Sequence, residues 1–456
     1  SRINLELRMP PASFYRYLNA IGIHARGISG FSQSEPCRYR QRQLHASRPC
    51  SKSLFLIHLI TWTVYAATGS ALELEGIAQA GIGVGSDRES FINSGTGLLR
   101  YDEDGVRLQQ SALRISQDLS SAFSAEATVN AYTDGDLHLG FTQAFLTWKP
   151  LSPNPVRLKA RAGFFYPRMS KENTDVGWLS TYSYTPSAIN SWIGEELRTA
   201  GAEFAVFSPG RARRSPWSWE LNGAVYWGND PIASALAWRG FATHDRQSLH
   251  HDRLQFAPIP AVIDPEIINS PAWVEPFHEV DGRPGFYLGA HLRKAGGTDF
   301  RVYLYDNNAD PLAINSQRLY AWDTQFLSAA VSHPLASNTE LLGQLLYGQT
   351  CMGDGLVGAD FQSAYLMLSH RFGANRIAAR IETNEVDEDD RLEEDPNDSD
   401  GTAFTVAWRR ELSSQWEVGA EYLWNRSYVE NRETLGESAR AVQSQFSLVF
   451  QYRFGH

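Results

Sequence analysis

From Leu72 onward the chain repeats one pattern: apolar and polar residues alternate over short runs, each followed by a polar, turn-rich link. Period-two alternation places the two sets of side chains on opposite faces of a β-strand. In Val156–Tyr166, Leu158, Ala160, Ala162 and Phe164 share one face, and Arg157, Lys159 and Arg161 share the other. The run around Phe286, Leu288, Ala290 and Leu292 behaves likewise, opposed by Tyr287, His291 and Arg293. Phe404, Val406 and Trp408 fall together in a later run. In the last, Phe446, Leu448, Phe450, Tyr452 and Phe454 oppose Gln443, Gln445, Gln451 and Arg453.

The pattern predicts sixteen strands, near residues 72–84, 105–117, 122–133, 137–149, 156–166, 195–208, 217–227, 284–294, 299–306, 319–331, 339–348, 359–371, 375–385, 401–411, 415–427 and 440–454. The links sort by parity. Every even-numbered run is followed by a short one (LSSA, KPLSPNP, SPGRARRSP, KAGG, SHPLASN, RFGA, ELSSQ). Odd-numbered runs are mostly followed by longer polar links, the longest near 228–283, with the short link after Thr133 as the exception. A soluble sandwich has no reason to sort its loops by parity. A closed antiparallel barrel crossing a membrane does, with short turns on one side and long loops on the other. Trp148, Trp217 and Trp416 near the short links, and Tyr226, Trp227, Tyr422 and Trp424 near the long ones, fit two interfacial girdles.

Composition agrees: 36 Gly, 23 Phe, 19 Tyr and 13 Trp against 4 Met suit strands and turns rather than a helical core. The most apolar run, Leu54–Ala67, has 14 residues, fewer than the roughly 20 that a membrane helix needs. Arg48 and Lys52 precede it and small residues follow as far as Ala71, so it reads as a secretory signal cleaved after Ala71, with Ala67 as a second candidate. The expected organisation is therefore an N-terminal extension plus signal peptide over 1–71 and a barrel over 72–456. Nine of the 41 basic residues but only two of the 51 acidic ones precede Leu72, leaving the barrel a net charge of −17. That charge argues against a nucleic-acid partner.

With its signal, sixteen alternating runs, parity-sorted links and terminal Tyr452-Arg453-Phe454, the chain resembles a Gram-negative outer-membrane porin. The stretches GFFYPRMSKEN and SAINSWIGEELRTAGAEF are locally similar to specific-channel porins such as the phosphate-selective type. The resemblance implies an all-β, multi-pass transmembrane antiparallel barrel of the outer membrane, with short periplasmic turns and long extracellular loops. It implies lipid and lipopolysaccharide as surroundings, small polar solutes as cargo, no cofactor and no catalysis. It also implies a homotrimer, although the second long loop, the subunit latch of general porins, is here only Thr133–Leu137.

In general porins the third long loop folds into the lumen, and the resemblance implies the same for residues 167–194. This segment carries Lys171, Glu172 and Asp175. Arg157, Lys159 and Arg161 precede it and must face the lumen, because a charge on the lipid face costs roughly 2–4 kcal/mol at the midplane. In the thirteenth run Arg376, Arg380 and Glu382 face inward on the same logic. The expectation is an acidic loop set against the Arg157/Lys159/Arg161 ladder, giving a transverse field that orients polar solutes. The acidic run 383–401 lacks the ligand spacing of a Ca²⁺ loop and reads as solvated. His244, His250 and His251, with Asp245 and Asp252, read as a pH-sensitive loop rather than a metal site.

These features point to a water-filled pore for passive diffusion of ions and small polar solutes. The alternatives are a specific channel for an anionic nutrient, such as phosphate or a small organic acid, an outer-membrane hydrolase using His291 or His370, and a plugged structural barrel.

Overall fold

The computed structural model describes residues 71–455. The expected N-terminal extension and signal segment lie outside the described residues as far as residue 70. All sixteen expected strands form. They are β1 (Glu73–Val84), β2 (Gly105–Asp118), β3 (Phe123–Ala131), β4 (Leu139–Trp148), β5 (Arg157–Phe165), β6 (Thr199–Ser208), β7 (Trp217–Trp227) and β8 (Gly285–Lys294). They continue as β9 (Asp299–Asp306), β10 (Asp323–Ala336), β11 (Thr339–Met352), β12 (Val357–Phe372), β13 (Asn375–Glu388), β14 (Ser399–Glu411), β15 (Trp416–Val429) and β16 (Arg440–Phe454). Each pairs antiparallel with its sequence neighbours, and β1 closes the barrel on β16 with Gly76 opposite Phe454 and Val84 opposite Phe446.

The burial pattern inverts that of a soluble protein. Along β16 the apolar set faces out, with Phe450 53% exposed, while the adjacent Gln451 is 3% exposed. Leu221, Val225, Phe286, Leu288, Val302, Leu304, Leu366 and Leu368 continue this outer apolar surface on other strands. Such a surface is stable only against lipid, and closure leaves no unpaired edge there.

Two departures from expectation have physical causes. Strands β11 to β15 reach further toward the long-loop side than expected, so β13 runs to Glu388 and takes in the first part of the acidic run, whereas β10 starts later there, at Asp323. Alternation continues there: Glu385 and Asp387 face water while Asn384 and Val386 face in, so the ladder can extend beyond the lipid. The loop between β11 and β12 shrinks accordingly to 353–356. Second, the expected sixth strand starts later, at Thr199, because Ala188–Glu196 forms a helix (α1) capped by Ser187, whose side chain accepts from Asn190 N. The long loop between β7 and β8 also holds helix α2 (Ser234–Arg239), the single turn α3 (Pro260–Ile263) and a small two-stranded sheet joining Leu254–Gln255 to Trp273–Val274.

The inward positions divide the barrel into two halves. On β7 to β13 they are largely apolar or aromatic: Tyr226, Tyr287, Tyr303, Tyr305, Phe326, Leu346, Phe361 and Met367. The loop between β5 and β6 packs Ile189, Trp192, Ile193 and Leu197 against them, which builds a hydrophobic core inside the barrel. Tyr226 belongs to this core, stacked on Tyr305, and not to an interfacial girdle. On β16 and β1 to β4 the inward positions are mainly polar, among them Gln443, Gln445, Ser447 and Gln451, then Gln79, Gln110, Asn130 and Thr142.

Candidate functional site

The third long loop (loop 3, residues 166–198) crosses the lumen, and charged groups on the far strands hold it there. Leaving β5, it is fixed first at β9: Arg301 Nη1 donates to the carbonyls of Arg168 and Ser170 at 3.0 and 2.7 Å, and Lys171 Nζ lies 3.0 Å from Asp299. Glu172 is fully buried and accepts from Arg380 Nη1 of β13 at 2.8 Å, from Asn190 Nδ2 at 2.9 Å and from Ser187 N at 3.1 Å. Arg380 also donates through Nε to Glu382 (3.1 Å) and through Nη1 and Nη2 to the carbonyls of Thr185 and Pro186. Glu382 accepts from Ala188 N at 2.7 Å, the first amide of α1, where the helix dipole favours an anion.

Further along the wall, Glu421 of β15 accepts from Tyr184 N and Thr185 N at 2.6 and 2.9 Å. Arg409 of β14 donates to Ser180 O at 3.0 Å and to Glu417 at 2.8 Å. Asp175 caps the short turn 176–178 and pairs with Arg453 of β16, with 2.8 Å to Nη1. Tyr184 fits against β15 because residue 419 is glycine; a Cβ there would collide with the tyrosine ring and hydroxyl.

Loop 3 is held against inward positions of β9 and β13 to β16, and its charge pairing differs from the expected one. Glu172 and Asp175 do not face the Arg157/Lys159/Arg161 ladder; they reach past it to Arg380 and Arg453. The ladder is answered by its own neighbours. Lys159 Nζ lies 2.6 Å from Glu220 of β7, and Arg161 donates to Glu203 of β6 at 3.0 and 3.1 Å, while Arg168 bridges both carboxylates. Glu203 lies directly opposite Arg161 on the adjacent strand and Glu220 only two strands from Lys159, so both reach the ladder before a loop spanning the lumen can. Arg157 sits at the exposed turn end and donates to Asn154 O, and Arg376 lies over the Tyr182 ring at 4.8 Å.

Glu203, Glu220, Arg409, Glu417 and Glu421 were not singled out in the sequence. The signal that finds them is the same alternation: each occupies an inward position of its strand. The histidine segment is not a solvated loop either. His244, Asp245 and Asp252 are buried, with Asp245 held by Arg100 and Asp252 by Arg246, both at 2.6–2.8 Å. His250 packs on Phe164 and on the His251 ring at 4.0 Å, and His251 bonds Glu275 at 2.6 Å, while His244 lies apart beside Glu195. Loop 2 (132–138) packs on this segment through Asp134 and Leu137, within its own chain. His291 bonds Tyr303 and His370 bonds Thr339, two separate hydroxyls rather than one shared site.

Among the described residues, the one group of three side chains with metal-ligand geometry is Asp230, Glu279 and Asp281 in the loop between β7 and β8 (loop 4, residues 228–284). Burial, with the charge of Glu279 nearby, pushes the Asp230 carboxyl up from its ordinary 3.8 to about 7. A raised folded pKa means the closed loop binds the proton more tightly than the open one. Its contribution is full below the ordinary value and is lost as pH rises through about 7. Loop 4 should therefore be cut several-fold faster at pH 8 than at pH 5.5 in limited proteolysis, with rates normalised to an unfolded substrate. Asp230→Asn should flatten the difference; an equal pH response in the variant would remove Asp230 as its source.

A closed sixteen-strand barrel with an apolar outer surface and a loop folded into the lumen defines a porin-type, multi-pass outer-membrane protein. No protein-family model and no curated sequence matches the chain. Among solved structures it is similar to the outer membrane channel DcaP of Acinetobacter baumannii, at 10% identity and a TM-score of 0.51, over 85% of this chain and 98% of that one. An anion-selective porin from Comamonas acidovorans aligns at 12% identity and a TM-score of 0.48, over 85% and 100% of the two chains. The in-vitro folded outer membrane protein OmpT of Vibrio cholerae, in its trimer form, aligns at 9% identity and 0.48 over the same shares. At these identities the likeness is one of fold.

Proposed function

We propose that the protein is a non-enzymatic outer-membrane channel for passive diffusion of ions and small polar solutes. Its path would run between loop 3 and the polar inner wall of β16 and β1 to β4. The observation that carries this reading is the division of the lumen: one half is packed with an apolar core, and the other is lined mainly by amides and hydroxyls, interrupted at Ile77, Ala112 and Val449. Such a lining suits hydrated solutes, and loop 3 touches it mainly where Val176 and Leu179 pack on Ile77 and Ala112.

In this reading Lys171, Glu172, Asp175, Arg376, Arg380 and Glu382 set the position of the constriction, and Arg157, Lys159 and Arg161 line the wall below it. Glu203 and Glu220 balance Lys159 and Arg161, which weakens the case for an anion-specific channel. A plugged barrel is the second reading, favoured by the apolar core inside the lumen. Planar-bilayer recording of the refolded protein separates the two. Discrete current steps in KCl, with a reversal potential near zero in a salt gradient, support the weakly selective channel. A heat-modifiable barrel that gives no steps supports the plug.

A further inference from the structure

A cavity of about 240 Å³, its open mouth included, lies between loop 3, the His244–Gln247 segment of loop 4 and the wall at β2. Its interior has room for one particle the size of a water molecule. Four amide side chains line it; Gln247 is bonded at both ends, to the Gly177 carbonyl and by the Tyr166 hydroxyl, and the other three use their nitrogen ends on the protein. Gln110 donates to Gln79 at 2.8 Å, Asn173 to the Trp178 carbonyl at 2.9 Å, and Asn190 to Glu172 and Gln344 at 2.9 and 3.1 Å. These bonds fix the amide orientations and leave the three side-chain oxygens buried without a donor.

His244 adjoins them with neither ring nitrogen hydrogen-bonded, its Nε2 3.5 Å from a Glu195 oxygen. The lining supplies little in return. The Ser191 hydroxyl is taken by His244 O and the Tyr184 hydroxyl by Glu417. The charges of Asp245 and Arg246 are matched by Arg100 and Asp252. Three desolvated acceptors with no donor are costly to leave unmade.

We propose that this cavity is a subsite for the ammonium head of a small protonated amine. The head of a protonated primary amine is water-sized and has three N–H donors, one for each amide oxygen, whereas one water donates only twice. Its single charge suits neutral amide oxygens and the adjoining Trp178 and Tyr184 rings. An anion would meet acceptors alone, and a divalent cation would need carboxylates that are here already paired. The inference deepens the channel reading and rests on it, since the solute reaches the cavity through the lumen.

Calorimetric titration of the refolded protein in detergent with methylammonium chloride, against sodium chloride and glycerol, tests it. Methylammonium should bind at least ~10-fold more tightly than sodium or glycerol, and Gln110→Met or Asn173→Leu should each weaken it ~10-fold. Equal response to sodium, or tighter binding of glycerol, would overturn the amine assignment without any variant. Binding that survives in both folded variants would place the amine elsewhere. Amine binding in a barrel that gives no current in KCl would keep the subsite and sink the channel. Current without amine binding would do the reverse.

Discussion

Replacing Arg380 with methionine should release loop 3 from the wall and lower barrel stability by about 3–5 kcal/mol, because it leaves buried carboxylates without their cation. Arg380 is 1% exposed and joins three parts of the structure: Glu172 within the loop, Glu382 on its own strand, and the carbonyls of Thr185 and Pro186 just before α1. A planar guanidinium can reach all of these at once, which a lysine cannot, so Arg380→Lys should fall between wild type and Arg380→Met. The change should appear as a lower urea midpoint and, in bilayers, as a larger and noisier conductance. Adding Glu172→Gln to Arg380→Met should recover part of the loss by removing one stranded charge. A midpoint for Arg380→Met within 1 kcal/mol of wild type would show that the loop is held by its apolar core instead.

How much of this was legible in the sequence follows from the range of each interaction. Strand alternation is local, so Ile377, Ile381, Arg380 and Glu382 fell on the correct faces, and all sixteen strands were visible. Parity-sorted links then implied closure. The partners of the inward charges were not legible, because Glu172 and Arg380 are 208 positions apart and meet only once the loop has crossed the lumen. Lys159 and Glu220, 61 positions apart, were closer to reach. Applying the alternation of β5 to β6 and β7 would have put Glu203 and Glu220 on the same inner face as the ladder. The apolar inner half was equally open to reading: Tyr287, Tyr303 and Tyr305 occupy inward positions and leave half the wall unsuited to water. Loop 4 was the least legible, since the burial of His244 and Asp252 depends on Arg246, Arg100 and loop 2 arriving together.

Ending the chain at Gln451 should abolish most barrel assembly. The deletion removes Tyr452, Arg453 and Phe454, which face Ala78, Ile77 and Gly76 across the closing seam of β1 and β16. Arg453 N also donates to Gln415 O at 2.8 Å, and Tyr452 packs on Trp416 at 4.8 Å, so the turn before β15 loses its cover too. The seam is closely fitted: a Cβ on Gly76 would collide with the Phe454 ring, which lies across the strand. An open edge in lipid leaves backbone groups unsatisfied at several kcal/mol each, so the heat-modifiable folded fraction should fall at least ~10-fold. A second loss is mixed into this one, because Arg453 also holds Asp175 of loop 3. Arg453→Gln separates them: it keeps the strand and its backbone pairs, so it should assemble normally and alter only the conductance. Near-normal assembly of the truncated chain would mean that the seam closes without these three pairs. Failure of Arg453→Gln to assemble would shift the requirement from strand closure to the contact with loop 3.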